Sequence, residues 1–257
     1  MKNLDNDIHN WKETDINTDS LWLISERDKS GKHANNYHGN FVPQIPNQLI
    51  RRYTKEGETV LDLFMGSGTT LFECETLNRN FIGFDINQEI IDFVKSKMVD
   101  TRNIQFEINN CDVTNKKNFD VTMNERQVDF MIAHPPYMDI VKFTKKEKDL
   151  SQISDLNLFI EKFVLAMKNA LNYLQKNKYF TIVIGDVYKK SEVVPLGFYL
   201  MYAVKKNFNA KLKGIIVKNI EGNRGKLGTQ NIWKYRALKS DYFIFKHEYI
   251  LVFKKEF

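Results

Sequence analysis

Thr59-Val60-Leu61-Asp62-Leu63-Phe64-Met65-Gly66-Ser67-Gly68-Thr69-Thr70 is the stretch that decides how this 257-residue chain folds. Its first six residues form an apolar, partly β-branched run bounded by Gly57 and Gly66, which predicts a buried strand. Thr69 to Leu77 then reads as a helix. Between them lies a turn built on Gly66 and Gly68. A glycine turn joining strand to helix lets a ligand approach the backbone closely, and the helix start offers N–H groups that have no intrahelical partner. No Gly-Lys-Ser/Thr follows, so the turn is not a nucleotide-triphosphate P-loop.

Working outward, the same alternation continues on both sides. Gln44 to Tyr53 is helix-like, with Ile45, Leu49 and Ile50 at helical spacing. After the glycine turn come a strand at Phe81–Asp85, a helix over Gln88–Met98 and a strand at Ile104–Ile108. Val128–Ala133 is the next strand, Leu156–Gln175 a strongly periodic helix, Phe180–Ile184 a strand and Pro195–Lys205 a helix. Two late strands, Lys213–Val217 and Tyr249–Phe253, flank an insertion at Lys218–Glu248. Leu21-Trp22-Leu23-Ile24 reads as a short strand or a turn of core. The predicted fold class is α/β: a doubly wound, mostly parallel sheet of about seven strands ending in a C-terminal antiparallel hairpin. Residues 1–20, rich in Asn and Asp, read as a flexible N-terminal segment, and 21–257 as a single domain.

Composition agrees with a globular core: 42% of residues are apolar and 27% charged. The net charge of +6 and pI near 9.0 fit a polyanionic partner, and equally a Lys-, Asn- and Ile-rich background composition. Cys74 and Cys111 lie far apart without CxxC spacing, which points to neither a zinc site nor a disulfide framework. The N-terminus has no apolar signal core, and no apolar run is long enough to span a membrane. The expected location is cytosolic.

Three further features carry chemistry. Asp85 ends the strand after the glycine turn, where a carboxylate accepts hydrogen bonds from ribose hydroxyls. Asp112, after the following strand, is placed to accept from an adenine amino group, or is an ordinary loop residue. Ala133-His134-Pro135-Pro136-Tyr137 follows the strand Val128–Ala133. Two prolines fix φ and remove two donors, leaving a stiff turn with free carbonyls at the crevice where doubly wound folds bind ligands. An aromatic amine that is to attack a methyl group must move toward tetrahedral geometry, and acceptors aimed at its two hydrogens favour that state. The His134 side chain and the Pro135 carbonyl are the candidate acceptors. Tyr137 offers a flat face for a base swung out of a duplex.

Taken together, Asp62-Leu63-Phe64-Met65-Gly66-Ser67-Gly68-Thr69-Thr70 and His134-Pro135-Pro136-Tyr137 resemble the amino-methyltransferases of DNA, which modify adenine N6 or cytosine N4. That family's cofactor motif is close to D-P-F-x-G-S-G-T-T and its catalytic motif is (D/N/S)-P-P-(Y/F/W). His38-Gly39-Asn40-Phe41-Val42-Pro43, with Leu49 and Thr54 beyond, resembles the family's segment over the methionine end of the cofactor. The resemblance covers residues 38–137 by motif and the remainder by pattern. It implies a Rossmann-like class I methyltransferase fold and S-adenosyl-L-methionine as cofactor. The cofactor residues would be Phe41, Asp62, Phe64, Gly66, Ser67, Gly68, Thr69, Thr70, Asp85 and Asp112, with His134, Pro135, Pro136 and Tyr137 as the catalytic turn. Double-stranded DNA with a flipped base is the implied partner, within a restriction-modification or related system and with a partner subunit or homodimer open.

Leu63 replaces the family's proline, and His134 its Asp, Asn or Ser. Only a neutral imidazole has an acceptor nitrogen. An ordinary histidine would therefore lose activity below about pH 6.5. The insertion at 218–248 interleaves Arg224, Lys226, Lys234, Arg236 and Lys239 with Trp233, Tyr235, Tyr242 and Phe243, a mixture suited to phosphate contact and base stacking. Arg224, Lys226, Trp233 and Arg236, with Lys142 after the catalytic turn, are the DNA-contact candidates. Gly185-Asp186 is either a base-pocket element or a plain turn. Two other functions remain open in the sequence: an RNA base methyltransferase, and a non-catalytic DNA-binding subunit that keeps the fold.

Overall fold

Strands that are apolar on both sides need cover on both sides, and the computed structural model shows how this chain supplies it. The structure describes residues 9, 11–33, 39–220 and 230–257, without the side chains of 230 and 231. The strands are β1 (Leu21–Trp22), β2 (Thr59–Asp62), β3 (Asn80–Asp85), β4 (Phe106–Asn110), β5 (Val128–Ala133), β6 (Leu174–Ile184), β7 (Val187–Lys189), β8 (Glu192–Val194), β9 (Ala210–Asn219) and β10 (His247–Lys255). The helices are α1 (Gln44–Tyr53), α2 (Thr69–Thr76), α3 (Gln88–Lys97), α4 (Lys116–Met123), α5 (Leu156–Leu171), α6 (Leu196–Asn207) and α7 (Gln230–Lys239).

Eight strands form one sheet in the order β1-β9-β10-β6-β5-β2-β3-β4. Neighbours run parallel except β10, which is antiparallel to both β6 and β9. The expected terminal hairpin is thus β9–β10, and β1 adds an eighth strand at its outer edge. A separate two-stranded hairpin, β7–β8, follows β6.

Alternate residues along the strands feed two cores. Leu61, Met131, Ala133, Phe180, Ile182 and Leu251 pack with α4, α5 and α6. Val60, Phe130, Ile132, Val183, Ile250 and Val252 pack with α1, α2 and α3. Helix starts are fixed locally where Asn87, Asn115 and Asp155 accept backbone N–H bonds as N-caps. Helix α2 differs: its N-cap is Gly68 in the left-handed region at φ 83°, with no side-chain cap.

Several expected boundaries move. The helix expected to run to Gln175 stops at Leu171, because Leu174 is fully buried as a strand residue opposite Val128. Strand β6 consequently starts six residues earlier than Phe180, through an irregular stretch with Asn177 at φ 65°. The strand expected at Ile104–Ile108 lies at Phe106–Asn110. Helix α4 was not expected; Phe119 and Met123 anchor it in the core. Asp15 to Asp19, expected to be loosely held, run along α1: the Asn17 amide donates to Gln48 Oε1 at 2.7 Å and Arg51 pairs with Asp15. Among the described residues no helix is long and apolar enough to cross a membrane.

The sheet order reverses beside β2, whose neighbours β3 and β5 lead in opposite directions. Ligands of doubly wound folds bind outside the carboxyl ends of the strands at such a point.

Candidate active site

A cavity of about 770 Å³ opens there. Its wall is made by the residues that directly follow four strands: Leu63 to Gly66 after β2, Asp85 and Ile86 at β3, Cys111 to Val113 after β4, and His134 to Tyr137 after β5. Two facing segments are among those that close it from elsewhere. Gly39 to Val42 form one wall, and Ile140, Val141, Phe143 and Lys148 to Leu150 another. They meet where Gly39, at φ 91°, faces the Phe143 ring; a β-carbon there would come within 2.9 Å of it.

The glycine loop is held from behind. Asp62 is buried and accepts from Thr70 Oγ1 at 2.6 Å and from the Phe64 amide at 3.0 Å. Burial pushes its carboxyl up to about 7, against those two hydrogen bonds. Ser67 donates to Asn40, tying the loop to the 39–42 wall. A β-carbon on Gly68 would sit 2.9 Å from Val94 Cγ1, so glycine there serves both the turn and helix packing. Asp62, Ser67, Gly68 and Thr70, expected as cofactor contacts, therefore stand outside the cavity lining and hold the loop's shape. Phe41, Phe64, Gly66, Thr69, Asp85 and Asp112 do line it.

Asp85 accepts from the Gly66 amide at 2.9 Å and the Asn87 amide at 2.8 Å. Burial raises its carboxyl to about 6, with those amides pulling the other way. Asp112 Oδ1 is taken by Thr114, at 2.9 Å from its amide and 2.6 Å from its hydroxyl. Thr69 Oγ1 is buried with no hydrogen-bond partner among the described residues.

At the Pro-Pro turn, His134 packs against Phe41 with ring centroids 5.0 Å apart and meets Tyr137 edge-on. Its Nε2 lies 3.3 Å from the Tyr137 hydroxyl, which donates to Glu248 Oε2 at 3.2 Å. Burial lowers the imidazole to about 4; Glu248 opposes this and Lys218 adds to it. The expected acid limb near pH 6.5 is therefore corrected: desolvation keeps His134 neutral well below that. Burial, together with the charge and hydrogen bond of Glu248, pushes the Tyr137 phenol well above its usual value against the pull of the Gly185 amide. Gly185 is close beneath that ring, since a β-carbon would lie 2.9 Å from Tyr137 Cε2. Asp186 points elsewhere, accepting from the Gly197 amide and from Tyr249.

Residues that pattern reading missed are Lys218 and Glu248, the two ends of the supposed insertion. They belong to β9 and β10, line the cavity and form a buried ion pair at 3.1 Å. The available signal was a charge directly flanking each apolar run, Lys218 after Gly214–Val217 and Glu248 before Tyr249–Phe253. Ser25 to Arg27 and Lys29 also line the cavity, and Arg27 donates to the Phe41 carbonyl at 2.7 Å. Of the DNA-contact candidates, Arg224 and Lys226 lie outside the described residues. Lys142 is exposed beside the lining residue Val141. Trp233 and Arg236 lie together on α7, guanidinium over indole at 5.3 Å, away from the cavity lining.

Fold and cavity define a methyltransferase domain, and comparison with known proteins agrees: the model of the family described as "Methyltransferase domain" matches residues 54–235. The chain belongs to the methyltransferases, and its residues 1–96 also match the family model described as "DNA methylase". It is similar to the Type II methyltransferase M.MjaII of Methanocaldococcus jannaschii, 40% identical over 25% of this chain and 13% of that protein. It is also similar to M.HpaI of Haemophilus parainfluenzae, 34% identical over 32% of this chain and 26% of that one. The matches thus span about a quarter or less of these relatives' lengths. Among solved structures, TrmN from Thermus thermophilus superposes with a TM-score of 0.55 at 16% identity, covering 85% of this chain and 50% of that one. A SAM-dependent methyltransferase from Methanosarcina mazei gives 0.51 at 12% identity, covering 84% and 99%. These likenesses show the fold; the chemistry rests on the site.

S-adenosylmethionine is the cofactor of this family, and the cavity fits it. The volume suits a ligand of that size. Asp85 presents a carboxylate fixed by two backbone amides, α2 begins without a side-chain cap, and Thr69 holds an unpartnered hydroxyl at the wall.

Proposed function

We propose that this chain methylates an exocyclic amino nitrogen of a base in DNA, adenine N6 being the first target to test and cytosine N4 the second. One observation carries the reading: the cofactor wall of Gly66, Thr69 and Asp85 and the turn His134-Pro135-Pro136-Tyr137 open on the same cavity. The cofactor, when bound, supplies a methyl group activated by a positive sulfur. The chain supplies position and acceptors. Asp85 receives the ribose hydroxyls and Asp112 the adenine edge. Neutral His134 and the Pro135 carbonyl accept the two N–H groups of the target amine, freeing its lone pair from the ring, and His134 takes the proton that the methylated nitrogen sheds. Tyr137 flanks the base, and Phe41 packs against His134 on the cofactor side. Cys111 also lines the cavity, but burial raises its thiol to about 11. Site specificity, a restriction-modification setting and any partner subunit belong to the same reading, supported by the Type II relatives.

Mass spectrometry of nucleosides tests it. Purified protein is incubated with S-adenosylmethionine and either DNA or RNA. N6-methyladenine or N4-methylcytosine in the DNA is the expected product. Methylation of the RNA alone would replace DNA by RNA as substrate. Cofactor binding by calorimetry with no methylated nucleoside from either would overturn the catalytic reading.

A further inference from the structure

Four polar side chains form an unbroken line at the cavity wall. Lys218 Nζ donates to Glu248 Oε1 at 3.1 Å, the Tyr137 hydroxyl donates to Glu248 Oε2 at 3.2 Å, and His134 Nε2 lies 3.3 Å from that hydroxyl. Lys218 and Glu248 are direct cross-strand partners in the β9–β10 ladder, so sheet register fixes their separation. They are 4% and 6% exposed, and the cost of burying an ion pair is offset only where further hydrogen bonds satisfy its charges, as Tyr137 does for Glu248.

The charged end sets the direction of every bond in this line. An ammonium only donates and a carboxylate only accepts. Tyr137 has one hydroxyl proton, and Glu248 holds it. What Tyr137 offers His134 is therefore an oxygen lone pair, and the contact is satisfied only when Nε2 carries the hydrogen. A neutral imidazole has one such hydrogen, so Nδ1 is left as an acceptor.

We propose that the Lys218–Glu248 pair, acting through Tyr137, locks His134 in the Nε2–H tautomer and so makes Nδ1 the atom that accepts from the target amine. Lys218 and Glu248 are positioning residues; His134 is the catalytic one. The identity of Nδ1's partner rests on the amino-methyltransferase reading, whereas the tautomer does not.

Nitrogen NMR of protein labelled with ¹⁵N-histidine, without cofactor or DNA, reads the tautomer directly. His134 is assigned among the five histidines by the signals that disappear in His134→Asn. The expected result at pH 7 is a pyridine-like Nδ1 and a pyrrole-like Nε2. The double variant Lys218→Met/Glu248→Leu removes both charges together, which buried pairs tolerate better than loss of one. It frees the Tyr137 hydroxyl to donate to Nε2, so the two nitrogen signals should exchange or converge. kcat should fall on the order of tenfold to a hundredfold, a larger change than in the KM for the cofactor. Tyr137→Phe keeps the ring and removes the relay, and should likewise mix the tautomers. A pyrrole-like Nδ1 in the natural chain, or nitrogen signals indifferent to both variants, would overturn the lock. Failure of the methyl-transfer reading would look different: no methylated DNA, with the nitrogen pattern intact.

Discussion

His134 is the residue where the sequence pattern and its surroundings disagree most. A histidine at ordinary pKa is a poor acceptor in mild acid, but burial lowers this one to about 4. With cofactor saturating, kcat should stay level from pH 8 to about 5 and fall only as pH approaches 4; a limb centred near 6.5 would show an ordinary, solvated imidazole. Asp85 behaves oppositely, its carboxyl raised to about 6. Protonation removes its charge, so the KM for the cofactor should rise below about pH 6 while kcat does not change. His134→Ala should lower kcat about a hundredfold, whereas His134→Asn, which restores an acceptor oxygen, should recover part of it. Gly185→Ala tests the floor under Tyr137: the added β-carbon, 2.9 Å from the ring, must push it away. Activity should drop, at a stability cost of about 1–3 kcal/mol, read by urea denaturation.

Helix α7 and the strands beside it are the elements whose roles separate. Ile232, Tyr235 and Leu238 on α7 are 51%, 64% and 75% exposed, so core burial is not what holds the helix. It is fastened through its far end, where the Tyr188 ring packs tilted against Tyr242 at 4.6 Å and its hydroxyl donates to the Ser240 carbonyl. Exposed Lys234, Arg236 and Lys239 fit phosphate contact. Replacing Arg236 and Lys234 by Ala should weaken DNA binding at every sequence. It should also reduce the slope of log affinity against log salt by about one for each phosphate that is no longer neutralised. Fluorescence titration at several salt concentrations measures this, and an unchanged slope would remove α7 from the DNA interface. Helix α5 and strand β6 show why element boundaries escaped the sequence. Periodicity carries past Leu171, but Leu174 gains more by pairing with β5 than by another half turn of helix. Helix α4, with a weak apolar stripe of Phe119 and Met123, is held chiefly by the core it meets.

At the scale of the whole molecule, the buried carboxyl that braces the glycine loop carries a stability cost that pH should reveal. Asp62 is about 7 in the fold against 3.8 as a free carboxyl. A raised folded pKa stabilises below about pH 4, and that contribution is lost as pH rises through 7. Asp62→Asn keeps the shape and cannot ionise. Its stability relative to the natural chain should therefore climb between pH 4 and 8, by up to about 4 kcal/mol; denaturation curves with no such trend would place a neutralising partner beside Asp62. The alternation of strand and helix, the glycine loop, Asp85 and the Pro-Pro turn were legible without coordinates, because each depends on neighbours within a few residues. Which of those residues face the cavity was not legible: Asp62, Ser67, Gly68 and Thr70 share a motif with Gly66 and Thr69 yet brace the loop from behind. By itself, then, the sequence determined the α/β frame, the glycine turn and the Pro-Pro turn. Only the tertiary structure decided that His134 sits where burial lowers its imidazole, and that Lys218 and Glu248 stand behind it. Glu248 lies 30 positions from Lys218 and 111 from Tyr137. What joins them is the register of a hydrogen-bonded sheet, and what sets their chemistry is exclusion from water, neither of which a local pattern contains.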